Sequence, residues 1–329
     1  MQRRSMMPAA RVFATTLAVL ALCSGVAFAQ VWPARPVRIV VPLATGSASD
    51  AFARQLAQRL TDVWGHSVVV ENVPGSNGMI GAQVVTKAPA DGYTLMVMAA
   101  NHVINPSLQP KMPYDAVNDF TWIAQLGFTP LLLVVHPSLP VKSLKDLVVL
   151  AKRQPGDLTY GSAGNGSPSH LAMEWLAIAS GVQFRHVPYK AISQAQSDLV
   201  GGHIGAMFMV PSVALPQAKS GRLRVLATST LARVPAAADV PTAEESGGLK
   251  GFEVKPWVTL GAPPGLRAEL VQRIATDVGK ITGDPAFQER VRTVGMEVSF
   301  VGPSGLREML QKDVERWGEI VRRSGARID

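Results

Sequence analysis

Cysteine is nearly missing. The 329-residue chain has one, Cys23, so it can form no internal disulfide and no thiolate metal cluster. Aromatic residues make up only 6%, which leaves Val, Ile, Leu, Ala and Met to fill the core. Charged residues are also sparse, at 17%, against 47% hydrophobic. A disordered chain has the opposite balance. The histidines, His66, His102, His136, His170, His186 and His203, form neither H-x-x-x-H nor H-E-x-x-H, the helical spacings that bind zinc. There is no Walker loop and no G-x-S-x-G elbow. No metal and no cofactor are expected.

What is present starts with a leader. Arg3, Arg4 and Arg11 stand without an acid among them, the apolar run Val12–Phe28 follows, and Ala27-Phe28-Ala29 ends it. This is the grammar of a secretory signal peptide cleaved after Ala29. The run is short for a membrane anchor, which needs about 20 apolar residues, and no later segment is long enough. Cys23 could be a lipoprotein cysteine, but Leu22 stands where a small residue is expected. Residues 1–29 are therefore read as a signal and the protein as exported. Net charge is +8. Loss of three arginines leaves 29 basic residues against 24 acidic ones. The basic residues are scattered rather than interleaved with aromatics, so no nucleic-acid partner is expected.

The length suggests about two domains. Strand and helix patterns alternate from Val37 to Ser229, and the tail is mostly helical. The pattern predicts an α/β protein with mainly parallel sheets. In such sheets ligands sit beyond the carboxyl ends of strands. The loops to inspect are therefore Pro42–Asp50, Ala99–Pro106, Ser162–His170, Pro188–Ala191 and Met209–Ser212. Pro42–Asp50 joins a strand to a helix, where free backbone N–H groups and the helix dipole favour an anion. A plain helix cap, with Ser47 and Asp50 satisfying each other's backbone, explains it equally well. Gly161-Ser-Ala-Gly-Asn-Gly-Ser-Pro-Ser-His170 carries three glycines ahead of a second helix start at Ser167. It reads as a ligand loop or as a glycine-rich turn with a cap. Asn101 and Asn105 could donate to a ligand or cap their own turn.

Beyond residue 29 the chain resembles the tripartite tricarboxylate transporter receptors, the Bug family of periplasmic solute-binding proteins. The resemblance runs from Trp32-Pro33-Ala34-Arg35-Pro36 to Trp317. It is carried by Val70-Glu-Asn-Val-Pro-Gly75, Ala90-Asp-Gly-Tyr-Thr94, Ile104-Asn-Pro-Ser-Leu108 and Val135-His-Pro-Ser138. Gly161-Ser-Ala-Gly-Asn-Gly166, His186-Val-Pro-Tyr-Lys190 and Gly221-Arg-Leu-Arg-Val225 complete it. The resemblance implies a type II periplasmic-binding-protein fold, with two α/β lobes, a hinge and an interlobe cleft. Lobe 1 is expected to hold residues 30–128 and 255–329, and lobe 2 residues 129–254. It also implies a monomeric, non-enzymatic receptor that delivers a small carboxylate to membrane transporter subunits, or to a sensing partner. The implied ligand-binding residues are Leu43, Thr45, Gly46, Ser47 and Asp50 in the first loop and Asn101 after the third strand. Ser162, Ala163, Gly164, Asn165, Ser167 and His170 follow in the glycine-rich loop, with Tyr189 and Met209 beyond later strands.

The sequence departs from the family pattern in places. Leu43 replaces an aromatic residue, Ala44 a proline and Ser47 the second glycine of the first loop. Met209-Val210 is apolar where an acid is common, and Ala191 replaces a glycine. These departures point to an apolar or aromatic carboxylate rather than an amino acid. A secreted enzyme on the same fold is the alternative, and a transcription-factor effector domain would need a DNA-binding segment where the signal stands.

Overall fold

A computed structural model of the chain describes residues 32–109 and 111–325. The proposed signal and its cleavage site lie outside the described residues. The chain divides at Ala34 into a short N-terminal unit and a body from Arg35 onward. Two sheets form the body. The first contains β1 (Val37–Val41), β2 (Val68–Asn72), β3 (Thr94–Ala99) and β4 (Thr121–Phe128). The chain then builds the second from β5 (Leu132–Val135), β6 (Thr159–Ser162), β7 (Arg185–Pro188), β8 (Ala206–Met209) and β9 (Arg224–Thr228). It returns to the first sheet with β10 (Trp257–Ala262) and β11 (Glu297–Val301). The spatial orders are β11-β4-β10-β3-β1-β2 and β7-β6-β8-β5-β9.

Helices fill the connections. They are α1 (Ala48–Trp64), α2 (Met79–Thr86), α3 (Asn101–Leu108), α4 (Leu144–Arg153), α5 (Pro168–Ser180) and α6 (Ile192–Val200). Then come α7 (Pro211–Lys219), α8 (Ala243–Gly247), α9 (Ala268–Thr282), α10 (Pro285–Thr293) and α11 (Leu306–Ser324). Phe52, Leu56 and Leu60 recur at helical spacing on α1, and all are fully buried. Phe52 meets Phe287 of α10 edge to face at 5.7 Å. Among the described residues no helix is long and apolar enough to cross a membrane.

The sheets are mixed rather than mainly parallel. Among the described residues, β1 pairs in parallel with β2 and β3, and β6 with β7 and β8. β10 runs antiparallel to β3 and β4, β11 to β4, and β5 to β8 and β9. The reason is connectivity. β5 and β10 each arrive from the other sheet, enter at the end where their neighbours leave, and so run opposite to them.

The sequence pattern also missed β4, β10 and α3. All six residues of β10 are buried, but Thr259 and Gly261 interrupt its apolar run. α3 contains Pro106, which reads as a loop signal. The C-terminal α11 buries Leu306, Leu310, Trp317, Ile320 and Val321. It packs on α3, which follows the first sheet's β3, and on α5, which follows the second sheet's β6.

Candidate functional site

A cleft of about 720 Å³ opens between the carboxyl ends of the two sheets. Its first-sheet wall includes Leu43, Gly46, Ser47 and Ser49 after β1, Ala99 after β3, and Trp257 and Val258 of β10. Its second-sheet wall includes Pro168 and Ser169 opening α5, Ile192 and Gln196 of α6, and Met209, Val210 and Val213 around the start of α7. No charged side chain lines it.

Four helices therefore begin at the cleft, and the first turn of a helix leaves N–H groups without intrahelical partners. Two of these starts share one arrangement. Ser47 caps α1 by accepting the Asp50 N–H at 3.2 Å. Ser167 caps α5 by accepting the His170 N–H at 3.3 Å. In each case the serine two residues on faces the cleft and is buried, Ser49 at 3% exposure and Ser169 at 8%. The Ser169 hydroxyl accepts the Ala163 N–H at 3.2 Å and contacts Ser167 Oγ at 3.2 Å. The Ser49 hydroxyl takes part in none of the hydrogen bonds among the described residues. Ser49 lines the cleft, and its hydroxyl is left free to donate there.

Of the residues singled out in the sequence, Leu43, Gly46, Ser47 and Met209 line the cleft. The others stand behind it or at its edge. Asp50 is 2% exposed and braces the first loop. Its carboxylate accepts from Gly46 N–H and Asn72 Nδ2, each at 2.9 Å, and pairs with Arg54 at 3.0 Å. Burial alone would raise this carboxyl, but the bonds from Arg54, Gly46 and Asn72 hold it below the usual carboxylate range. Thr45 is exposed at the tip of that loop. Asn101 donates to the Asn77 carbonyl at 2.6 Å and Asn105 to the same oxygen at 3.1 Å. Both fasten the turn after β2. Tyr189 donates to Asp198 at 2.6 Å.

The glycine-rich loop, Ser162 to Ser167, is anchored from behind. Ser162 Oγ accepts the Gly164 N–H at 3.1 Å and meets His186 Nε2 at 2.6 Å. His170 Nδ1 accepts the Gly166 N–H at 3.0 Å, so that nitrogen carries no proton. Its ring lies 4.0 Å from Glu174, whose carboxylate accepts the Tyr160 hydroxyl at 2.5 Å. Burial raises both the Glu174 carboxyl and the Tyr160 hydroxyl. Ser162 and His186 have the spacing of a nucleophile and its base. Ser162 is nonetheless fully buried and outside the cleft lining. Ala163, Gly164 and Asn165 form the turn between these anchors. The sequence signal that could have found Ser49 and Ser169 is the repeated Ser-x-Ser at each helix start.

The model of the tripartite tricarboxylate transporter family receptor matches residues 52–326. Protein BugT of Bordetella pertussis is 32% identical over 302 residues, covering 91% of this chain and 92% of its own. A protein of R. palustris solved with adipate is 33% identical, with a TM-score of 0.76 over 90% of this chain and 99% of its own. MatC from Rhodopseudomonas palustris, solved with bound malate, is 29% identical, with a TM-score of 0.71 over 88% of this chain and all of its own. These matches run over nearly the whole body with its two-lobe α/β fold, and the chain belongs to the tripartite tricarboxylate transporter receptor family.

Proposed function

We propose that this protein is a periplasmic receptor that captures a small carboxylate between two hinged lobes and presents it to a membrane transporter. The observation that carries this reading is the convergence of helix starts on a cleft without a charged wall. Orphan N–H groups, the helix dipoles and the Ser47, Ser49 and Ser169 hydroxyls offer donors to an anion. No acid stands in the wall to repel it. The adipate and malate held by two relatives fit the same chemistry.

The lobes are residues 30–128 with 255–329, and residues 129–254. Thr129–Leu131 and the segment between β9 and β10 form the hinge, and the lobes close on the ligand. The fourteen residues named from the resemblance divide into those that meet the ligand from the wall and those that brace the loops. The protein binds without turning its ligand over and acts as a monomer. It is exported by cleavage after Ala29. Mass spectrometry of periplasmic protein should find Gln30 first, and a lipid-modified Cys23 would overturn that.

The binding test is calorimetry with mono-, di- and tricarboxylates beside their neutral amides. Heat from an acid and none from its amide is expected. Equal binding of both would sink the carboxylate reading, and chemical conversion of a bound acid would favour the enzyme.

A further inference from the structure

The serine donors and the bulkiest apolar side chains of the cleft wall follow different strands. β1 and β6 lie toward one end of their sheets, while β10 and β5 lie next to the crossings between the sheets. The starts of α1 and α5, with Ser49 and Ser169, follow β1 and β6. Nearest the crossings the wall is Leu131, Trp257 and Val258, with Ala99 of β3 and Met209 of β8 between them and the helix starts, and Thr129 supplies the lone side-chain hydroxyl there. The Trp257 indole N–H is already given to Asp313, so this side chain offers the cleft no donor. The start of α7 lies near this end but is poor in donors. Pro211 has no N–H, and the Val213 and Ala214 N–H groups are bonded to the Val210 carbonyl.

We infer that the cleft selects a solute with a single carboxylate on an apolar or aromatic body, and discriminates against dicarboxylates of equal length. This rests on the carboxylate reading above and narrows it. The carboxylate sits at the α1 and α5 starts, beside the unpartnered Ser49 hydroxyl. The body lies against Met209, Trp257 and Val258, where apolar contact replaces water. A second carboxylate at that end would lose its hydration with only the Thr129 hydroxyl among the wall's side chains to replace it, and an unpaired buried charge is strongly disfavoured.

The test is calorimetry on the full chain purified after export, with hexanoate, 3-phenylpropionate, adipate and hexanamide. Hexanoate and adipate share a six-carbon chain and differ by one carboxylate. The expected result is at least tenfold tighter binding of hexanoate or 3-phenylpropionate than of adipate, with hexanamide silent. Met209→Gln, checked for an unchanged melting curve, adds a donor at the apolar end and should shrink that ratio severalfold. Val258→Thr does the same at lower risk to folding. Adipate binding as tightly as hexanoate, with hexanamide silent, overturns the single-carboxylate inference and leaves the carboxylate reading standing. Hexanamide binding as well as hexanoate, or silence of all four probes, overturns the carboxylate reading and this inference with it.

Discussion

The imidazole rings of His170 and His186 stack 4.1 Å apart between centroids and 16° from parallel. One ring comes from α5 and the other from β7, and each holds a different point of the glycine-rich loop. His170 accepts the Gly166 N–H, and His186 meets the Ser162 hydroxyl. Tyr160 lies nearly parallel to both rings, 4.8 Å from His186 and 6.3 Å from His170. The glycine-rich loop is thus fixed by two rings outside the cleft lining.

Both rings are held neutral. Burial, and then the neighbouring His186, pushes His170 down to about 3, and burial pushes His186 down to about 4. In the unfolded chain both titrate near the ordinary value of 6.5. The unfolded state therefore binds protons first as pH falls. The stability these rings contribute is present above pH 6.5 and is lost between there and about pH 3–4. Each histidine costs up to about 1.4 kcal/mol per pH unit across that window. The melting temperature should fall steadily from pH 7 to pH 4. His186→Phe, which keeps a stacked ring, should flatten that slope, and an unchanged slope would remove His186 from this account.

Asp50 should matter more than its place behind the cleft suggests. Asp50→Ala removes the acceptor of the Gly46 N–H, one of the two partners of the Asn72 amide and the ion pair with Arg54. Hydrogen bonds contribute about 0.5–1.5 kcal/mol each, and the first loop should loosen with their loss. Chemical denaturation should show that loss, with weaker binding of any acid that gives heat with the native protein. Full stability in Asp50→Ala would mean that water replaces the carboxylate.

The paired serines should separate stability from affinity. Ser47→Ala and Ser167→Ala each remove a helix cap, at about 1 kcal/mol. Ser49→Ala and Ser169→Ala remove hydroxyls that face the cleft. A hydrogen bond to a charged group is worth about 1.5–3 kcal/mol, so each should weaken binding roughly 10- to 100-fold. Calorimetry and unfolding curves on all four variants decide this. Unchanged affinity in both Ser49→Ala and Ser169→Ala would place the anion elsewhere.

Gly166 is held by two constraints at once. Its φ is +73°, and a Cβ there would come within 2.6 Å of Leu108 Cδ1 at the end of α3. Gly166→Ala adds left-handed strain, about 1–2 kcal/mol, and forces the Leu108 side chain to turn aside. Both stability and affinity should fall. Normal binding in this variant would show that the loop can shift without moving the donors.

Much was legible in the sequence by itself. Helix starts at Ser47 and Ser167, the glycine-rich turn and the alternation of strands with helices are local matters of capping chemistry, φ preference and hydrophobic period. Family membership could be read there too, because the motifs that carry it are short and contiguous. Packing decided the rest. The sheets became mixed because β5 and β10 arrive from the opposite sheet, a long-range connection that no local period encodes. That Ser47 both caps its helix and lines the cleft, while Ser167 only caps and Ser169 lines it, depends on how each helix is aimed. Asp50 and His170 became braces because Arg54, Asn72 and His186 reach them only in the folded chain. The absence of charge from the cleft wall was equally invisible, since the residues that meet there lie up to 251 positions apart, from Leu43 to Val294.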